Sequence, residues 1–254
     1  MQNIIDWDNL SRLGKLRAVI DPNDGMGLKN MLIDRVHWLA VSRQLSGSKT
    51  VLDFGCGTGR FAKRIKAMGA RYTGIDTSKG MIEAARQWNP DIDIELFHFN
   101  GTKIPFSDAS FDTVISSRVF IHILNLPKCA VILQEIARVL KPGGRLILLE
   151  EATLSQRKSG QAPWVLTEKD FTERLSKYFE IKRIHKVRSS EFSKFSRRIT
   201  EIPGYMPYPI FRVLLAPLTQ FELNRAMNKT DTYYEKITYY DFLIRAELKG
   251  TDGK

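Results

Sequence analysis

VLDFGCGTGR, residues 51–60, decides how the rest of this chain is read. Three apolar residues and one acid, Asp53, run into glycines at 55, 57 and 59. A strand that passes through bare backbone into a helix can bring that backbone against a ligand, because no Cβ stands in the way. The free N–H groups at the start of the helix then point at the same ligand. The spacing differs from the G-x-G-x-x-G of a dinucleotide loop, and no Gly-Lys-Ser/Thr follows as in a phosphate loop. A carboxylate at the loop entrance suits a ligand with cationic character better than a polyphosphate.

Working outward, strands and helices alternate. TVLDFG, RYTGID, IDIELFHFN, FDTVISS and RLILLEE read as strands, and RFAKRIKAMG, GMIEAARQW and CAVILQEIARVL as the helices between them, with KPGG a tight turn. The strands are apolar on both faces, as in a parallel sheet covered by helices. The pattern predicts a doubly wound α/β fold, in which ligands bind beyond the carboxyl ends of the strands, here near residues 53, 76, 100 and 117. Upstream, apolar residues at helical spacing predict a helix over 28–45, after an irregular N-terminus. Downstream, TEKDFTERLSKYF reads as a helix with Thr167 as its N-cap, and EIKRIHKVR and YYDFLIRAEL read as strands. The stretch 190–235, rich in proline and aromatics, is too long for a simple connector and is expected to form a helical insertion that covers the substrate. The whole chain, 1–254, is expected to be one domain.

Asp76 lies at the tip of the second strand, 23 residues beyond Asp53. An acid about 20 residues past such a loop is placed to accept two ribose hydroxyl hydrogens. Its other reading is N-cap of the next helix, a task that Thr77 or Ser78 can also perform.

VLDFGCGTGR, GIDTSKGMIEAAR, FNGTKIPFSDASFDTVISS and ARVLKPGGRLILLE together resemble consecutive motifs of the class I S-adenosylmethionine-dependent methyltransferases. The resemblance is to the small-molecule branch that includes the ubiquinone and menaquinone methyltransferases, and it covers about Lys49 to Glu151. It implies a Rossmann-like, mostly parallel seven-stranded sheet with helices on both faces, and S-adenosylmethionine as cofactor. Asp53 and the loop Gly55, Cys56, Gly57 and Gly59 are then expected at the methionine end. Asp76 is expected on the ribose, Thr77 and Met81 beside the adenine, and Ser116 and Ser117 along the methionine and the transferring methyl. Where relatives carry Asp and a small residue after the third strand, this chain has Asn100, Gly101 and Thr102; the Asn carbonyl can accept the adenine amino hydrogen, but without charge. His122 falls where relatives show a histidine near the substrate mouth; it is a candidate general base, or a residue that simply packs. Arg118 reads equally as an anion contact or a surface charge. His37 and His185 carry no expected role.

Composition narrows the field. The 39 Lys+Arg against 28 Asp+Glu give a net charge of +11, compatible with nucleic acid, a membrane surface or an anionic substrate. The two cysteines, Cys56 and Cys129, form no zinc pattern and no disulfide framework, so no metal is expected. No stretch reads as a membrane span or secretory signal, which makes the cytoplasm the expected compartment. The chain lacks the N/D-P-P-Y/F/W motif of amine-modifying nucleic-acid enzymes, since SSRV follows the fourth strand. A small-molecule acceptor, lipophilic or anionic, is therefore the expected partner, with peripheral membrane contact left open. The rival readings are an RNA-modifying enzyme that uses the basic segment 182–198, and a non-catalytic cofactor-binding partner protein.

Overall fold

The structure is a computed structural model that describes residues 5–25, 27–123, 126–152, 167–189, 208–228 and 240–250. Its centre is a seven-stranded sheet: β1 (Thr50–Phe54), β2 (Arg71–Asp76), β3 (Glu95–His98), β4 (Phe111–Ser117), β5 (Leu140–Ala152), β6 (Phe179–Ser189) and β7 (Tyr240–Leu248). In space they lie in the order β3-β2-β1-β4-β5-β7-β6. The first five are parallel, while β7 runs antiparallel between β5 and β6. The order reverses between β1 and β4, and that reversal opens a crevice at their carboxyl ends.

The helices are α1 (Trp7–Leu10), α2 (Leu28–Ser42), α3 (Ala62–Ala67), α4 (Lys79–Trp88), α5 (Leu126–Val139), α6 (Glu168–Leu175) and α7 (Tyr208–Asn228). Side chains alternate across a strand, so neighbouring residues enter opposite layers. Leu52, Leu146 and Leu148 pack in one layer, with Ile132 and Ile136 of α5. Val51, Ile147 and Leu149 pack in the other, with Val36 of α2 and Ile65 of α3. Both faces of the central strands are thereby buried, which is why they read as near-continuous apolar runs.

Local chemistry sets the element ends. Ser78 caps α4 by accepting from the Met81 N–H at 3.0 Å, which removes the capping role from Asp76. Thr167 and Asp170 form a reciprocal capping box at the start of α6. The KPGG turn lies inside the span of β5: Phe111 pairs with Leu140 and Thr113 with Arg145, so residues 141–144 loop out between two pairings. The N-terminal stretch is more ordered than its sequence suggests. Asp8 accepts from Ser78 Oγ at 2.6 Å and the Gly80 N–H at 2.8 Å, and Thr58 Oγ donates to the Lys15 carbonyl at 2.6 Å. These bonds lay residues 7–19 across the glycine loop.

Of the insertion expected at 190–235, residues 208–228 are described. They form α7, which packs against α2 and β6, with Leu223 and Ala226 buried and Phe221 exposed. The side chains of Tyr205, Tyr208, Phe211, Leu214 and Leu215 lie outside the described set. No helix among the described residues is long and apolar enough to cross a membrane.

Candidate active site

A cavity of about 380 Å³ opens at the carboxyl ends of β1, β2 and β4. Gly55 and Gly57 form its floor, and Asp76, Thr77 and Gly101 one end. Phe54, Met81, Phe99 and Ile132 supply apolar wall, and Ser117, Arg118, Val119, His122 and Ile123 the opposite side. The N-terminal segment adds Trp7 and Val19.

The loop must be glycine for two reasons. Gly55 and Gly57 hold φ at +69° and +53°, a region that residues with a Cβ seldom adopt. A Cβ on Gly55 would also come within 2.4 Å of Val119, and one on Gly57 within 2.6 Å of Val19. The bare backbone lets the turn after β4 and the N-terminal segment close over the loop, as well as leaving room for a ligand.

Asp76 is the best-defined polar group in the cavity. One oxygen accepts from the Gly57 N–H at 2.9 Å and the other from the Ser78 N–H at 2.9 Å. Each oxygen keeps acceptor capacity, which suits a pair of vicinal hydroxyls. Burial pushes its pKa up, against the pull of those N–H bonds.

Several expected residues stand elsewhere. Asp53 is buried beneath the loop, where the Tyr72 hydroxyl donates to it at 2.8 Å; burial pushes its carboxyl up to about 7. It does not line the cavity, so any influence on a bound cation acts through the loop. Cys56 turns under the sheet side of the loop, its Sγ 2.9 Å from where a Gly74 Cβ would stand, and Gly59 faces Asn89 and Ala85 of the α4 end. Asn100 is exposed, and its carbonyl accepts from the backbone of Thr102 and Lys103 and the Thr102 hydroxyl. That turn keeps both Asn100 and Thr102 off the cavity lining, and only Gly101 of the three lines it. Ser116 is buried with no hydrogen-bond partner for its hydroxyl among the described residues.

His122 does line the cavity, on a 3₁₀ turn (Phe120–His122), its ring edge-on to Trp7 at 4.8 Å. The residue is exposed at the cavity mouth; partial desolvation of its ring, together with the Arg118 charge, lowers its pKa to about 4. It is therefore a neutral imidazole at pH 7, able to accept a hydrogen bond but a weak base.

Three features had no readable signal in the sequence. Buried Glu150 accepts from the N–H groups of Val119 and Phe120 at 3.0 Å and Ile121 at 3.4 Å, and so fixes the turn that carries His122. Arg60, also buried, donates to Ser117 Oγ at 2.6 Å and to Asp34 at 3.1 Å. A buried cluster lies behind Arg118: its Nη1 meets Glu151 at 3.1 Å and Asp241 at 3.2 Å, while Asp241 also holds Arg188 at 2.6 Å and His37 at 2.8 Å. These partners are up to about 200 positions apart in sequence, beyond the reach of any local pattern.

A crevice at the strand reversal, a glycine floor and an acid on the second strand are the parts a nucleoside-bearing cofactor requires. The profile described as "Methyltransferase domain" matches residues 52–148, the stretch that builds this cavity. This stretch resembles the methyltransferase domain of the class I S-adenosylmethionine-dependent enzymes. A second profile, "Anamorsin, N-terminal", matches residues 102–195. A demethylmenaquinone methyltransferase of Clavibacter sepedonicus is 34% identical over 123 residues, which is 47% of this chain and 49% of that protein. The chain thus spans about half the length of the curated relatives it matches. Among solved structures, the phosphoethanolamine N-methyltransferase 2 of Haemonchus contortus, in complex with S-adenosyl-L-methionine, aligns with a TM-score of 0.64 at 15% identity, covering 98% of this chain and 61% of that one. The [4+2]-cyclase SpnF aligns with a TM-score of 0.57 at 22% identity, covering 85% and 81%. At such identities these structures speak for the fold alone, and that fold is shared by proteins of differing chemistry.

Proposed function

We propose that this chain transfers the methyl group of S-adenosylmethionine to a small-molecule acceptor in the cavity between β1, β2 and β4. The observation that carries the reading is Asp76, whose two oxygens are each oriented by one backbone N–H and each keep capacity for a ribose hydroxyl. Gly55 and Gly57 give the methionine portion a floor without side chains. Thr77, Met81 and Gly101 flank the adenine, with Phe99 and Ile132 completing an apolar slot. When bound, the cofactor supplies a methyl made electrophilic by its sulfonium.

What remains for the protein is to align a nucleophile and exclude water. Ser117 accepts from Arg60, so its own proton is free to donate into the cavity and fix one ligand oxygen. Trp7 and His122 close the mouth with their rings. His122, held neutral, receives a hydrogen bond from an acceptor hydroxyl without needing to take its proton fully.

The basic segment favours this reading over an RNA substrate. Of its four described basic residues, Arg183 is exposed, while Lys182 pairs with Glu180 and Glu247, Lys186 with Glu168 and Arg188 with Asp241. Cations matched in this way offer less to phosphates than a free stripe would. The relatives named demethylmenaquinone methyltransferase make a reduced naphthoquinone the first acceptor to try. The test is formation of S-adenosylhomocysteine from S-adenosylmethionine with demethylmenaquinol and with bulk RNA. Product with the quinol alone supports the reading, and product with RNA alone overturns it.

A further inference from the structure

Arg118 is an unusual residue to find where it is. It follows Ser117 at the end of β4, lines the cavity, and holds φ at +59°. Left-handed backbone at a residue with a long side chain is disfavoured and persists where the surroundings over-determine it. Those surroundings are plain: its N–H bonds the Leu149 carbonyl at 2.8 Å, and its guanidinium meets Glu151 and Asp241. Both ion pairs leave from Nη1. Neither Nε nor Nη2 makes a hydrogen bond among the described residues, and the side chain keeps 18% of its surface exposed.

A guanidinium pinned at one nitrogen has a fixed plane, so its other donors are pre-organised for a planar oxygen pair. The two carboxylates do not repel an arriving anion, because two guanidiniums, Arg118 and Arg188, match them. The cavity that Arg118 lines also presents Trp7, Val119, Ile123 and the His122 ring, which feels the Arg118 charge. A charged donor set in apolar wall discriminates for a charged oxygen more strongly than one in water does.

We propose that Arg118 is a specificity-determining residue for the acceptor: it holds an anionic oxygen group, carboxylate or phenolate, on a flat conjugated molecule that lies against Trp7 and His122. This rests on the cavity being a methyltransferase site, and names the chemical class of acceptor that the site takes.

The experiment uses the full chain and two probes of nearly equal size, benzoate and benzamide. Each is titrated, with saturation-transfer NMR as readout, after S-adenosylhomocysteine has been titrated by calorimetry. Failure of S-adenosylhomocysteine to bind the wild-type chain would strike at the methyltransferase reading itself. With that step passed, the wild-type protein is expected to bind benzoate at least tenfold more tightly than benzamide. Arg118→Gln is expected to abolish the preference, and Arg118→Lys, which keeps the charge without the fork, to retain part of it. Equal binding of the two probes by the wild type, no binding of benzoate, or an unchanged preference in Arg118→Gln would each overturn the proposal. The wild-type comparison decides even if the Gln variant fails to fold.

Discussion

Asp53 shows how far a single residue can be read. Its place at the end of a strand was legible, because an acid closing an apolar run before a glycine loop has few other uses. Its depth was not, since the Tyr72 hydroxyl that meets it belongs to another strand. With burial holding its folded pKa at about 7 against an ordinary 3.8, the linkage has a definite sign. A raised carboxyl contributes stability that is complete below about pH 4 and is lost as pH rises through about 7. In urea unfolding, the stability of Asp53→Asn relative to wild type is therefore expected to rise between pH 4 and 7, because only the wild type loses this contribution; a difference that does not change with pH would mean that the carboxyl is not desolvated. Asp76 was legible in place, and its alternative as a helix cap passes to Ser78. Asn100 was legible only in place: its carbonyl is consumed by its own turn, a local bond that competes with any ligand.

At the level of elements, the alternation of strand and helix was open to inspection because buried parallel strands and amphipathic helices leave periodic traces. The turn after β4 left none. It is built by Glu150, one strand away, which supplies the acceptor for three consecutive N–H groups. Removing that acceptor strands the buried Phe120 N–H and the half-buried N–H groups of Val119 and Ile121, and an unmet buried donor costs about 1–3 kcal/mol. Glu150→Ala is expected to lose about 3 kcal/mol or more of unfolding free energy in chemical denaturation. Glu150→Gln keeps an oxygen for Val119 and Phe120 and is expected to lose less than half as much. Equal losses would show that the carboxyl contributes by packing and not by holding the turn. The N-terminal segment was equally hidden, since Trp7 and Val19 join the cavity through contacts of Asp8 and Lys15 with α4 and the glycine loop.

Across the whole molecule, the buried His37, Arg188 and Asp241, joined by the half-buried Arg118 and Glu151, tie α2, β5, β6 and β7 to the side of the cavity. His37 is the member that registers acid: burial lowers its pKa to about 4 against the Asp241 carboxylate. A depressed histidine contributes stability that is present above about pH 6.5 and lost as pH falls through about 4. Relative to His37→Gln, which can still donate to Asp241, the wild-type protein is expected to lose stability in chemical denaturation as pH falls across that window. No change in slope would place the proton uptake on another group. The sheet, its order and the cavity at the reversal all lead back to one claim, that this crevice holds S-adenosylmethionine by its ribose at Asp76. Calorimetric titration of S-adenosylhomocysteine into wild type and Asp76→Ala tests it most directly. Micromolar binding (about −8 kcal/mol) that is lost in a folded Asp76→Ala protein is the expected result; equal binding by both proteins, or none by the wild type, would contradict it.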